Sequence, residues 1–169
     1  MILPEAAAYL ERIDDLRGQI ATIVQELSLE ALNWRPIEDS EDHAMNSIAV
    51  LATHAAGAEH FWIGEVVGRL PTTRDRAAEF ETVADTDVLL QTLQTVGQQT
   101  RTILQNLTQE DLDATRQTRE REVPVRWGIL HVIDHTALHL GHIQITTQLW
   151  QSGQAIDAPR WFQRLNADK

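Results

Sequence analysis

HVIDHTALHLGHI, residues 131–143, holds four of the chain's seven histidines within twelve positions, His131, His135, His139 and His142. At ~100° per residue a helix places these four inside an arc of about 80°, with His135 and His139 one turn apart on the same face. Two imidazoles at i and i+4 can converge on one ion, and they need a third ligand from another element. The stretch therefore reads as one helix of a helical assembly, with its histidine stripe turned toward a neighbour.

Working outward, this helix begins near Pro124, passes Trp127 and ends about residue 152, where Gly153 can adopt the left-handed helix-end conformation. Three further segments carry helical periodicity. Leu10, Ile13, Leu16, Ile20, Ile23, Val24 and Leu27 repeat at three and four within residues 5–27, and Pro4 suits the first turn. Residues 47–70 form a strongly apolar helix capped by Asn46 or Ser47 and closed by Gly68 and Pro71. Residues 86–107, capped by Asp85 or Thr86, show Leu89, Leu93, Val96, Ile103 and Leu107, interrupted by Thr100. The expected fold is all-α, a four-helix bundle in one domain over residues 1–169. The connections are long for a bundle and leave the topology open. Within them LEALNW (29–34) suits a short helix and TRQTREREV (115–123) an extended segment.

Composition excludes several classes. There is no cysteine, which rules out disulfides, zinc–thiolate fingers and a thiol nucleophile of the chain's own. The net charge of −11 repels phosphate backbones, so nucleic acid is not an expected partner. No apolar run approaches a membrane span and MILPEAAAYL does not resemble a secretory leader, so a soluble cytoplasmic protein is expected.

On the second helix His54 shares a stripe with Ser47, Val50, Leu51, Ala58, Phe61 and Trp62, the face expected to point inward, whereas His60 sits ~120° away and is expected to be exposed. A single histidine on an apolar face is ordinarily a hydrogen-bonded core residue. Several imidazoles in one interior are costly unless an ion satisfies them together, which favours a metal site. Around it, Glu59 and Asp134 are each either a carboxylate orienting a ligating imidazole or an exposed helix residue. Gly141 and Gly57 suggest close helix approach or room beside the ion, and Trp62, Trp127 and Trp150 read as core aromatics. Arg116, Arg119, Arg121 and Arg126 form a basic cluster, read as a solvated loop balanced by Glu120 and Glu122, with attraction of a carboxylated substrate as the alternative.

HAAGAEHFW (54–62) resembles the H-x4-E-x2-W signature of DinB/YfiT-like proteins, and HVIDHTALHLGHI resembles their H-x3-H-x-G-(Q/H) signature, with LNWRP (32–36) as lead-in. The resemblance implies His54, His135 and His139 as ligands of a divalent ion, zinc or nickel, with open coordination positions. It makes His142 a donor beside the site or a substrate contact, and His131 a neighbour of the site or a core residue. It implies a transferase using a low-molecular-weight thiol, and a homodimer. The alternatives are metal-assisted hydrolysis of amides or esters with Glu59 or Asp134 as base, and a non-enzymatic metal-binding stress-response protein.

Overall fold

The computed structural model describes residues 2–37 and 45–151. Its long helices are α1 (Pro4–Glu26), α3 (Ile48–Glu59, continued in π-helical form over His60–Val67), α5 (Thr86–Asn106) and α7 (Val125–Trp150). The expected end of the last helix at residue 152, and Gly153, lie outside the described residues. Short helices occupy the connections: α2 (Leu29–Asn33), α4 (Arg76–Glu79) and α6 (Gln109–Asp113). The antiparallel hairpin β1 (Thr115–Gln117) and β2 (Glu122–Pro124) leads into α7, with Arg116 paired to Val123.

Local chemistry fixes the ends. Pro4 opens α1 in the first turn, the Ser47 hydroxyl accepts from the Val50 amide at 3.2 Å, and the Asp85 carboxylate accepts from Val88 at 2.9 Å. Thr108 and Asp111 cap each other reciprocally at the start of α6. At the end of the π-helical segment the Gly68 amide reaches Ile63 at 2.8 Å and Arg69 takes φ 57°, a left-handed conformation uncommon outside glycine.

α1 and α3 each pack against both α5 and α7, closing the bundle. Its apolar filling is split into two clusters. One gathers Leu16, Ile20, Ile23, Leu51, Leu89, Leu93, Leu140 and Ile143. The other gathers Leu10, Ile13, Ile63, Val67, Leu104, Ile129 and Val132. On α3, α5 and α7 a polar residue falls between the two, Glu59, Thr100 and Thr136, and on α1 Arg17 follows Leu16 at the edge of the first. Arg17 donates to Glu59, whose same oxygen accepts from the Thr100 hydroxyl at 2.5 Å. A Cβ at Gly97 would lie 2.5 Å from Arg17 Nε, so the missing side chain admits the guanidinium. Burial pushes the Glu59 carboxyl up and the Arg17 charge opposes that rise. On α7 His135 directly precedes Thr136, so an imidazole as well as the ion pair stands where the two apolar clusters part, a polar layer within the bundle.

Candidate metal centre and pocket

His54 projects from α3 and is 7% exposed. Its Nδ1 lies 2.7 Å from Glu79 Oε2, a carboxylate that also takes Arg74 Nε at 2.6 Å and Nη2 at 2.8 Å. A carboxylate paired to arginine is an acceptor, so Nδ1 carries a proton toward Glu79 and Nε2 is the nitrogen available to an ion. Glu79 can reach this position because of Gly57, one turn beyond His54: a Cβ there would stand 2.1 Å from Glu79 Oε1. Gly57 thus makes room beside the site. Gly141 faces open space with nothing within 4 Å of a would-be Cβ, which removes the expected close helix approach there.

His135 and His139 meet His54 from α7. The ring centroids stand 5.0, 4.9 and 4.4 Å apart for the pairs 54–135, 54–139 and 135–139. One nitrogen from each ring can be chosen so that all three lie within 4.8 Å of one another. The two Nε2 atoms of α7 are 3.2 Å apart, close to the ~3.3 Å edge of a tetrahedron with metal–nitrogen bonds of about 2.0–2.1 Å. Burial, with the neighbouring imidazoles and Arg74 adding repulsion, pushes His135 down to about 3; burial and His54 bring His139 down to about 4. Both are neutral at physiological pH with lone pairs available, and their Nδ1 atoms are buried without a protein partner. Three imidazoles with this spacing fit a divalent ion, and no sulfur ligand competes.

The other expected neighbours are elsewhere. Glu59 is a correction: its carboxylate is turned to Arg17 and Thr100, away from the imidazoles. Asp134 is exposed and faces His131 electrostatically, so it orients neither ligand candidate. His142 is exposed, with its ring 5.5 Å from His139. His60, expected to be exposed, is half-buried: Nδ1 pairs with Gln99 at 2.7 Å and Nε2 with the Thr73 hydroxyl at 2.9 Å.

Beside the triad opens a pocket of about 830 Å3, lined by His54, His135, His131, Phe61, Trp62 and Glu65 together with the hairpin turn and the segment before α4. Widening of the helix into π form at His60–Val67, a form frequent at functional sites, carries Phe61, Trp62 and Glu65 into this wall. Glu65 Oε1 accepts from the Thr73 and Arg74 amides at 2.7 and 2.9 Å, and its buried Oε2 has no partner. Trp127 corrects another expectation. It is 37% exposed, stacked at 8° on His131 with Arg121 over its ring, and Trp62 abuts both rings edge-on. Trp150 does join the core, against Trp34.

A sequence model of the family described as mycothiol-S-transferase matches residues 8–151. The chain belongs to that family. It thereby lies within the DinB/YfiT-like superfamily that its histidine signatures resemble. A protein of Bacillus subtilis strain 168, "Uncharacterized protein YkkA", is 21% identical over 164 residues, covering 90% of this chain and 91% of the relative. Two solved structures share the fold. A conserved protein from Enterococcus faecalis has a TM-score of 0.71 at 16% identity, covering 90% of this chain and 99% of its own. The DinB-like protein YjoA from Bacillus subtilis has 0.68 at 18%, covering 91% and 96%.

Proposed function

We propose that His54, His135 and His139 hold one divalent ion, zinc or nickel, and that the protein is a transferase joining a low-molecular-weight thiol to a small electrophile in the adjoining pocket. The observation that carries this is the convergence of three imidazole nitrogens within 4.8 Å at the wall of an open pocket. Three protein donors leave coordination positions open, as sites that act on substrates do. When bound, such an ion supplies Lewis acidity that favours the thiolate over the thiol. The sulfur comes from a cosubstrate, because the chain has no cysteine. Glu79 fixes His54 in the tautomer that offers Nε2. Burial keeps His135 and His139 unprotonated. Phe61 and Trp62 wall the pocket with apolar surface that excludes water from the thiolate.

A free thiol cosubstrate belongs to a reducing compartment, which supports a cytoplasmic location. No described helix is long and apolar enough to cross a membrane. Homodimerisation is supported by the exposed side of α7, where Leu130, Leu138, Ile145 and Leu149 stand at helical spacing.

Hydrolysis is the second reading. Neither carboxylate expected as its base serves, since Glu59 is engaged and Asp134 is exposed. Glu65, with one unpaired buried oxygen in the pocket wall, would take that role.

Metal-loaded protein incubated with a panel of thiols and small electrophiles, with products read by mass spectrometry, tests the proposal. Thiol adducts that disappear in His135→Ala are expected. Thiol-independent hydrolysis would establish the second reading, and thermal stabilisation by metal without turnover would reduce the protein to a metal-binding bundle.

A further inference from the structure

Charge is distributed unevenly around the pocket. In a chain of net charge −11, its wall holds four guanidiniums, Arg74, Arg76, Arg119 and Arg121, against two carboxylates, Glu65 and Glu120. Their pairing separates them. Arg74 is neutralised by Glu79. From the same basic stretch, Arg116 is held by Asp111 at 3.0 Å, and Arg126 by Glu5 and Asp113, both at 2.6 Å. These arginines build the fold. Among the described residues Arg76, Arg119 and Arg121 have no carboxylate within ion-pair distance, and all three face the pocket.

Two of them are already set on aromatic rings. The Arg121 guanidinium carbon stands 4.6 Å from the centroid of Trp127, and that of Arg76 stands 5.1 Å from the centroid of Phe80. A guanidinium lying on a ring keeps its N–H edge free, and that edge matches the two oxygens of a carboxylate. The hairpin turn carrying Arg119 and Arg121 is fastened by its own bonds: the Thr118 amide to the Arg121 carbonyl at 2.9 Å, and the Thr118 hydroxyl accepting from the Arg121 amide at 3.1 Å. Below this rim Ala58, Phe61, Trp62 and Val66 offer apolar wall. The volume suits a small organic molecule. An acidic chain repels anions at a distance, so a local positive rim is what admits one.

We propose that the substrate entering this pocket is a small carboxylate with a flat apolar body, its charge received by Arg119, Arg121 and Arg76 and its body lying against Phe61 and Trp62. This names the substrate class for the transferase reading and rests on that reading for its catalytic meaning, while binding itself needs no metal.

The probe is 4-nitrobenzoate, which quenches tryptophan fluorescence, compared with the uncharged 4-nitrobenzamide on the chelator-treated and the metal-loaded full chain. Saturable quenching by the acid in both forms is expected, weakening as salt rises to ~0.3 M. The acid should bind about tenfold tighter than the amide, and Arg119→Gln/Arg121→Gln should remove that advantage. Arg12→Gln, at a paired arginine on α1, should not change it. His139→Ala should abolish metal-dependent turnover yet keep the preference for the acid, which separates failure of this proposal from failure of the metal reading. Equal affinity for acid and amide, an unaffected double variant, or binding of the acid only when metal is present would each overturn it.

Discussion

Gly57→Ala separates the stability of the helix from the competence of the site. Within a helix, alanine is favoured over glycine by up to about 1 kcal/mol, so the substitution alone would stabilise α3. Here the new Cβ would lie 2.1 Å from Glu79 Oε1, well inside contact distance. Its neighbour is the end of a side chain, so Glu79 can swing aside and the fold survives. That movement carries the carboxylate off His54 Nδ1, now at 2.7 Å, and off Arg74, now at 2.6 and 2.8 Å. His54 loses the acceptor that fixes its tautomer. Loss of such an outer partner costs about 10- to 100-fold in metal affinity, or about 1.4 to 2.7 kcal/mol. The metal-free variant should therefore melt within a few degrees of the parent, while competition against a chromophoric chelator shows zinc bound at least tenfold more weakly. Unchanged affinity would refute the role of Glu79. A collapse of stability in the metal-free protein would refute the claim that Gly57 serves the site rather than the packing.

Two further outcomes follow from the polar layer. In the metal-free protein, His135 and His139, held down to about 3 and about 4, should show no titration by NMR between pH 8 and 5, with assignment from His135→Asn and His139→Asn spectra. As pH falls from ~6.5 the unfolded chain takes up protons that the folded one refuses, so metal-free stability should decline from there toward pH 4; a stability that rises over that window contradicts the buried neutral pair. Arg17→Met leaves the Glu59 carboxylate buried without its counter-charge, and urea denaturation at pH 7 should show a loss of about 3 to 5 kcal/mol. The penalty should shrink at pH 5, where Glu59, its carboxyl already pushed up by burial, takes a proton more readily; a pH-independent penalty would mean that packing is what was lost.

Much of this architecture is legible in the sequence. The three-and-four spacing of Leu10 through Val24 marks α1, and Ser47 and Asp85 announce helix starts with side chains that accept from the third residue on. The i, i+4 stripe on α7 and the inward stripe on α3 favour a metal site, and the resemblance of HAAGAEHFW and HVIDHTALHLGHI to the family signatures is what names His54, His135 and His139. Glu59 shows where helical angle would have corrected adjacency: five residues from His54 is ~140° around the helix, which sends it to α1 and α5. Asp134 likewise stands ~100° from His135 and faces outward. Glu79 had no signal, because it sits in a non-periodic connection 25 residues from the histidine it holds. The π-helical turn is hidden too, since an apolar run of HFWIGEVV is equally compatible with ordinary helical winding. The arginine cluster divides by three-dimensional pairing: Arg116 and Arg126 find acidic partners on α6 and α1, and Arg119 and Arg121 are left at the pocket.

The central claim is that three imidazoles from two helices share one ion. Metal content per chain, measured on protein loaded with zinc and passed through a desalting column, tests it most directly beside His54→Ala and His139→Ala prepared in the same way. One equivalent in the parent and essentially none in either folded variant is the predicted result. Equal metal in the parent and the variants would contradict it.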